Sequence, residues 1–152
     1  MKIVNGSSYI PQVKKMIEES KAEGVINKLS FFENELSEVE KNYLPPNGDL
    51  IVAIENNEFY GMVAYVRVSD ARCMMQRLYV RREARGQHLG DSLVKEIISR
   101  AKTAGFIEMV AEAPSEQVAA VSLYRKYDFE DCEPFTAKPQ SGVKYMLKDL
   151  TV

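Results

Sequence analysis

The clearest chemistry in the sequence lies in Arg77-Leu78-Tyr79-Val80-Arg81-Arg82-Glu83-Ala84-Arg85-Gly86-Gln87-His88-Leu89-Gly90. An apolar, strand-like run feeds a basic, glycine-containing loop that opens a long helix. The first turn of a helix has amides without carbonyl partners and a partial positive charge, so this junction suits an anion. Gly86 and Gly90 permit a tight turn and a close backbone approach. Residues 72–102 hold eight Lys/Arg and three Asp/Glu, a local +5 in a chain of net −2, which leaves −7 elsewhere. A basic loop in an acidic protein fits a compact polyanion better than nucleic acid, which asks for a basic surface and interleaved aromatic residues. The segment is neither GxxxxGK[ST] nor GxGxxG, so the P-loop and dinucleotide fingerprints are absent. A solvated arginine-rich loop before an ordinary helix has the same composition, and the loop alone does not separate the two.

Composition narrows the rest. His88 is the one histidine in 152 residues, which excludes HExxH and other multi-histidine metal sites, and no metal is expected. Cys73 and Cys132 stand 59 positions apart without CxxC pairing and read as reduced thiols of a cytoplasmic protein. Neither thiol has a context that implies an activated nucleophile. The length fits a single domain, residues 1–152, able to bury a core without a metal or a disulfide. The longest plain apolar runs, Ile51–Ile54 and Met62–Val66, fall far short of the ~18 residues a membrane span requires, and no signal-peptide core is visible.

The elements that must position the basic loop follow from hydrophobic period. Lys2–Val4 reads as a short strand. Ser7 or Ser8 is the expected cap of a helix from about Tyr9 to Gly24, with Ile10, Val13, Met16 and Ile17 on one stripe. A second helix is expected from Phe31 or Phe32 to Tyr43, stopped by Pro45-Pro46-Asn47-Gly48. Leu50–Glu55, Phe59–Val68 and Arg72–Val80 then read as an antiparallel meander, with Asn56-Asn57 as its first turn. From Gln87 the helical period returns in Leu89, Leu93, Val94, Ile97, Ile98 and Ala101, and Gly105 caps the end. Phe106–Ala113 is a strand, Ser115 the expected cap of a helix to about Tyr127, and Val143–Leu150 a last strand. A helical crossover makes the two strands flanking the 88–104 helix parallel.

Two segments in this order resemble the GNAT acyl-CoA N-acyltransferases. Arg85-Gly86-Gln87-His88-Leu89-Gly90 is similar to the family's R/Q-x-x-G-x-G/A signature, and Arg77-Leu78-Tyr79-Val80 to the strand before it. Gln117-Val118-Ala119-Ala120-Val121-Ser122-Leu123-Tyr124-Arg125-Lys126-Tyr127-Asp128-Phe129 is similar to the family's second motif, N-x-x-A-x-x-L-Y-x-x-x-G-F. The tail from Glu133-Pro134-Phe135 to Tyr145-Met146 and the segment Glu40–Asp49 resemble one bacterial branch. The resemblance covers about Glu40–Leu150. His88 stands where the family commonly has glycine, Gln117 where it has Asn, and Asp128 where it has Gly.

The resemblance implies an α/β (α+β) fold: a mixed, mostly antiparallel sheet with a splayed central parallel strand pair and flanking helices. It implies acetyl-CoA or a related acyl-CoA as cosubstrate, and a primary amine of a small molecule, amino acid or protein as acceptor. The pyrophosphate would lie on the backbone amides of Arg85, Gly86, Gln87, His88, Leu89 and Gly90, the pantetheine along Leu78, Tyr79 and Val80. Gln117 would contribute to the same site. The Val80 amide is the expected oxyanion donor. Tyr124 matches the family's general acid and would protonate the leaving thiolate; by residue type alone it is a core tyrosine. Relatives often carry a glutamate where Met74 stands here, and Met74 cannot accept a proton. Glu112 is the best substitute base, although a strand-end glutamate is as a rule solvent-facing; a water relay or a partly deprotonated amine would serve as well, and His88 ranks below Glu112. Phe31, Phe32 and Tyr43 are either pocket lining or core, and Glu33, Glu35, Glu38 and Glu40 either attract a cationic amine or form a solvated face. A homodimer is left open. The alternative reading is an acyl-CoA-binding module of the same fold with weak turnover.

Overall fold

The computed structural model describes residues 1–23 and 39–152. Their strands form one sheet in the order β1-β2-β3-β4-β5-β7-β6. The strands are β1 Lys2–Asn5, β2 Gly48–Glu55, β3 Glu58–Arg67, β4 Arg72–Val80, β5 Glu108–Pro114, β6 Glu130–Asp131 and β7 Val143–Asp149. The helices are α1 Ile10–Ala22, α2 Val39–Tyr43, α3 Leu89–Thr103 and α4 Val118–Lys126. All neighbouring strands are antiparallel except β4 and β5. The expected mixed, mostly antiparallel sheet with flanking helices is therefore present.

The sheet is covered on both faces. Leu50 and Val52 of β2 pack with Val13, Met16 and Ile17 of α1, while Ile51 and Ala53 pack with Leu93 and Ile97 of α3. Two covered faces explain why β2 and β3 read as continuous apolar runs rather than alternating ones. Leu93, Val94 and Ile97 are fully buried, each contributing about 1.5–3 kcal/mol relative to exposure. Between β2 and β3 Asn56 and Asn57 have φ of 50° and 65°, the left-handed pair that a two-residue hairpin turn requires.

Several expected boundaries move. Gly6–Ser8 form a 3-10 turn, so Tyr9 rather than a serine occupies the N-cap of α1, without a side-chain cap. Ser115 does not start α4, because its amide bonds the Gly142 carbonyl at 2.8 Å and Gln117 N bonds Pro114 O at 2.9 Å. That turn holds the chain to the sheet, and the helix begins after Gln117. The helix α3 begins at Leu89 with His88 as its N-cap, one residue after the expected start. Glu130–Asp131 was not anticipated as a strand, since two acidic residues have no strand pattern of their own; they pair because β7 lies beside them. Of the expected second helix, Val39–Tyr43 is observed; Gly24, Phe31, Phe32, Glu33, Glu35 and Glu38 lie outside the described residues.

The feature that makes a site is the parting of β4 and β5. They pair through Arg72↔Glu108, Cys73↔Met109 and Met74↔Val110. Beyond that point β4 stays with β3 as far as Gly61↔Val80, and β5 stays with β7 as far as Pro114↔Val143. The divergence coincides with a bulge in β4. Met62 faces Tyr79 and Ala64 faces Gln76, so Val63 alone stands opposite both Arg77 and Leu78. A bulge bends its strand and increases the local twist. Arg77 takes φ of 62°, an uncommon value for a long side chain.

Candidate active site

Between the diverging strands lies a cleft that narrows inward. Its inner part, about 60 Å³, is lined by Met75, Gln76 and Leu78 from β4, Glu112 and Ala113 from β5, and Tyr124 from α4. Its outer part, about 560 Å³, is lined by Leu78–Val80, Arg85, Gly90, and α4 residues including Ala119 and Leu123. Ser20, Leu78, Tyr79, Gln117 and Ala120 border both parts, which makes them one continuous groove.

Tyr124 is buried, and burial pushes its phenol up to about 12. Among the described residues its hydroxyl has no hydrogen-bond partner, while its ring packs on Phe129 at 5.6 Å between centroids. The packing comes from the end of α4. Asp128 adopts φ of 68°, and the amides of Asp128 and Phe129 bond Arg125 O and Tyr124 O, both at 3.0 Å. This is the Schellman closure, with its hydrophobic contact between Phe129 and Tyr124. Glycine is the usual residue at the left-handed position; aspartate tolerates it.

Glu112 is buried and lines the inner cleft, facing Tyr145 of β7 in register. Its side chain therefore departs from the solvent-facing habit of a strand-end glutamate. The physical reason is position: Glu112 shares the narrow inner cleft with Met75 and Gln76 of β4, Ser20 of α1 and Tyr124 of α4. Met74, where a relative's base is expected, sits at the last paired position of β4 and β5 instead.

Val80 ends β4. Arg81 N bonds Tyr60 O of β3 at 2.8 Å, and amides alternate sides along a strand. The Val80 amide therefore points away from β3, toward the edge that β5 has left. The Val80 carbonyl points the same way and accepts a hydrogen bond from Arg85 Nε at 2.8 Å.

At the start of α3, Ser92 N is bonded to His88 O at 3.2 Å, which leaves the Leu89, Gly90 and Asp91 amides at an open helix end. Gly86 and His88 have φ of 80° and 61°. His88 thus occupies a left-handed position where the family signature places glycine. Its side chain is 87% exposed, with Nδ1 3.8 Å from Asp91 Oδ2.

The arginines of the basic segment are mostly committed elsewhere. Arg72 Nε bonds Glu108 at 2.5 Å. Arg77 is buried and its Nε donates to the Tyr43 hydroxyl at 2.9 Å, which donates in turn to Gln76 Oε1 at 2.7 Å. Arg81 holds Glu19 through two bonds at 2.9 and 3.1 Å. Arg85 Nη2 holds Glu23 at 2.8 and 3.0 Å. Arg85 N is itself bonded to Arg82 O at 3.2 Å. The +5 of the segment therefore does not translate into a free cationic surface, and even Arg82, 83% exposed, keeps a long ion pair with Glu23 at 3.9 Å. An anion here would meet backbone amides first.

The helix α1 follows the expected stripe; that its C-terminal end borders the cleft was not expected from the sequence. Ser20 and Glu23 border the cleft, and Glu19 and Glu23 pair with Arg81 and Arg85. Both pairs are spaced by four residues, a matching interval that was visible in the sequence. Burial raises the Glu23 carboxyl, but hydrogen bonds from Arg85 and Tyr79 and the charges of Arg85 and Arg82 outweigh it and hold it below the ordinary value. Tyr43 is core rather than pocket lining, 1% exposed and bonded to Gln76. Glu40 is an exposed partner of Lys14 at 3.3 Å. Cys73 is buried, and burial pushes its thiol up to about 12, which opposes a thiolate nucleophile. Among the described residues no group of three His, Cys, Asp or Glu could hold a metal ion, and no helix is long and apolar enough to cross a membrane.

Comparison with known proteins agrees with this geometry. The chain is 36% identical over 121 residues to an uncharacterized N-acetyltransferase of Schizosaccharomyces pombe, covering 78% of this chain and 74% of that protein. Its fold matches the crystal structure of an acetyltransferase from Streptococcus agalactiae with a TM-score of 0.79 at 18% identity, covering 97% of each chain. It also matches a GNAT family acetyltransferase from Elizabethkingia anophelis with acetyl-CoA bound, with a TM-score of 0.61 at 17% identity, over 77% of this chain and 84% of that one. The model of the acetyltransferase (GNAT) family matches residues 13–129, a span that runs from α1 through the diverging strands to the end of α4. The chain is a member of the GNAT acetyltransferase family, and its chemistry is acyl transfer.

Proposed function

We propose that this protein transfers an acetyl group from acetyl-CoA to a primary amine by direct attack, with Tyr124 as general acid. The observation that carries the reading is the cleft itself. Tyr124, buried and with no hydrogen-bond partner for its hydroxyl among the described residues, lines the narrow end of a groove whose other end reaches the open N-terminus of α3. A relative of the same fold carries acetyl-CoA, and the groove suits that molecule in its parts. The amides of Gly86–Gly90 take the pyrophosphate, the β4 edge at Leu78–Val80 takes the amide-bearing pantetheine, and Gln117 borders the same path.

Acetyl-CoA supplies a thioester whose carbonyl an amine can attack. The Val80 amide donates to the oxygen as negative charge develops there, a preplaced dipole that needs no reorganisation. Glu112 accepts the proton that the attacking nitrogen sheds, directly or through a water. Tyr124 gives a proton to the departing sulfur, and its raised pKa keeps it protonated at working pH. The acceptor is a small molecule, an amino acid or a protein amine. Cys73 and Cys132 are free thiols, which suits action in the cytoplasm.

The test is an amine panel read by release of the CoA thiol, beside a thermal melt with acetyl-CoA. Acetyl-CoA is expected to raise Tm, and at least one amine to accelerate thiol release. Absence of any shift at saturating acetyl-CoA contradicts the proposal.

A further inference from the structure

Asp91 is the third residue of α3 and places a carboxylate in the helix's first turn. That charge favours the helix by itself, yet it opposes an anion docked at the same end. Its carboxylate is not left to face outward. Lys126, the last residue of α4, forms a short contact with Asp91 Oδ1. Tyr127 adds a hydrogen bond from its hydroxyl to the same oxygen at 3.3 Å. His88 Nδ1 lies 3.8 Å from the other oxygen. The contacts pull the Asp91 carboxyl below its ordinary value and raise Lys126.

We propose that Lys126 is a positioning residue for the cosubstrate: it draws the Asp91 carboxylate toward α4 and cancels its charge, so that phosphates can occupy the N-terminus of α3. This rests on the reading that the phosphates of acetyl-CoA bind there. The α4 motif then serves the reaction at both of its functional positions, Tyr124 at the sulfur and Lys126 at the phosphates, through the same short helix.

Calorimetric titration with CoA tests it on wild type, Lys126→Met, Asp91→Asn and the double variant. Lys126→Met is expected to weaken Kd about fivefold, the upper end of the scale for one exposed charge at a helix terminus. Asp91→Asn alone is not expected to weaken it, and the double variant is expected to return to within about 1.5-fold of wild type, because no carboxylate remains to be cancelled. In kinetics the Lys126→Met loss falls on KM for acetyl-CoA rather than on kcat. Wild-type affinity in Lys126→Met overturns the proposal. So does a double variant as weak as Lys126→Met, which would mean that Lys126 does not act through Asp91. Failure of wild type to bind CoA is a separate result: it removes the cosubstrate reading itself, and this inference with it.

Discussion

Arg85 and Val80 are joined by a hydrogen bond from the guanidinium Nε to the carbonyl oxygen, 2.8 Å long, while the same guanidinium grips Glu23 through Nη2. The arginine that heads the glycine-rich signature is therefore a brace. It ties the last residue of β4 to the loop before α3 and to the end of α1. Because it fixes the Val80 carbonyl, it limits rotation of the strand end that carries the Val80 amide. Arg85→Met should lower kcat/KM for acetyl-CoA by at least about tenfold, since one charge-assisted hydrogen bond is worth about 1.5–3 kcal/mol. Arg85→Lys should not restore it, because an ammonium cannot span both partners in the fixed guanidinium geometry. Wild-type steady-state kinetics in Arg85→Lys would contradict the brace.

Tyr124→Phe should lower kcat by about 10²-fold or more, the usual range for a general acid, while Kd for acetyl-CoA changes by less than about twofold. Stability should hold, because the hydroxyl has no partner among the described residues to orphan and the ring contact with Phe129 remains. With its pKa pushed up to about 12, Tyr124 stays protonated across the working range. The kcat/KM profile should therefore rise with pH as the amine deprotonates and show no fall assignable to a phenol below about pH 10, the ordinary tyrosine value. A fall near neutrality that disappears in Tyr124→Phe would contradict this assignment.

Glu23 gives a pH signature in stability. Its folded pKa lies below its ordinary value, so the stabilisation is fully present above the unfolded value of about 4.3 and is lost as pH falls through the folded one. Glu23→Gln should be less stable than wild type at pH 7. The two Tm curves should converge on acidification below about pH 4.3. Curves that stay parallel from pH 7 to pH 3 would show that the pair with Arg85 contributes nothing.

His88 and Asp128 both hold positive φ where the family signatures carry glycine. Replacing either by glycine removes the cost of a side chain in the left-handed region, about 1–2 kcal/mol at most, partly offset by the greater chain freedom that glycine has when unfolded. Asp128→Gly should raise Tm by about 1–4 °C in a domain of this size. A lower Tm would mean that the aspartate makes a compensating contact.

Much of this was legible in the residues. The asparagine hairpin, the α3 stripe and the parallel pair follow from turn chemistry, period and crossover rules. Tyr124, Gln117 and the Arg85–Gly90 loop were placed by motif, and the fold brings Tyr124, Gln117, Arg85 and Gly90 to one groove. What escaped depends on distance in sequence. The bulge at Arg77 has no local signal, since arginine is not a left-handed residue; it is held by Tyr43, 34 positions away. Glu112 could not be told from a solvent-facing glutamate, because its burial arises from which neighbours β5 keeps and which it loses. The charge of the basic segment was countable, but its neutralisation by Glu19, Glu23 and Glu108 required the packing of α1 and β5.

The most direct test of the account is a crystal structure of the protein with CoA. The CoA sulfur is expected within hydrogen-bond reach of the Tyr124 hydroxyl, and the pyrophosphate on the Gly86–Gly90 amides. A sulfur lying outside the cleft between β4 and β5, with the Tyr124 hydroxyl still buried away from it, would contradict it.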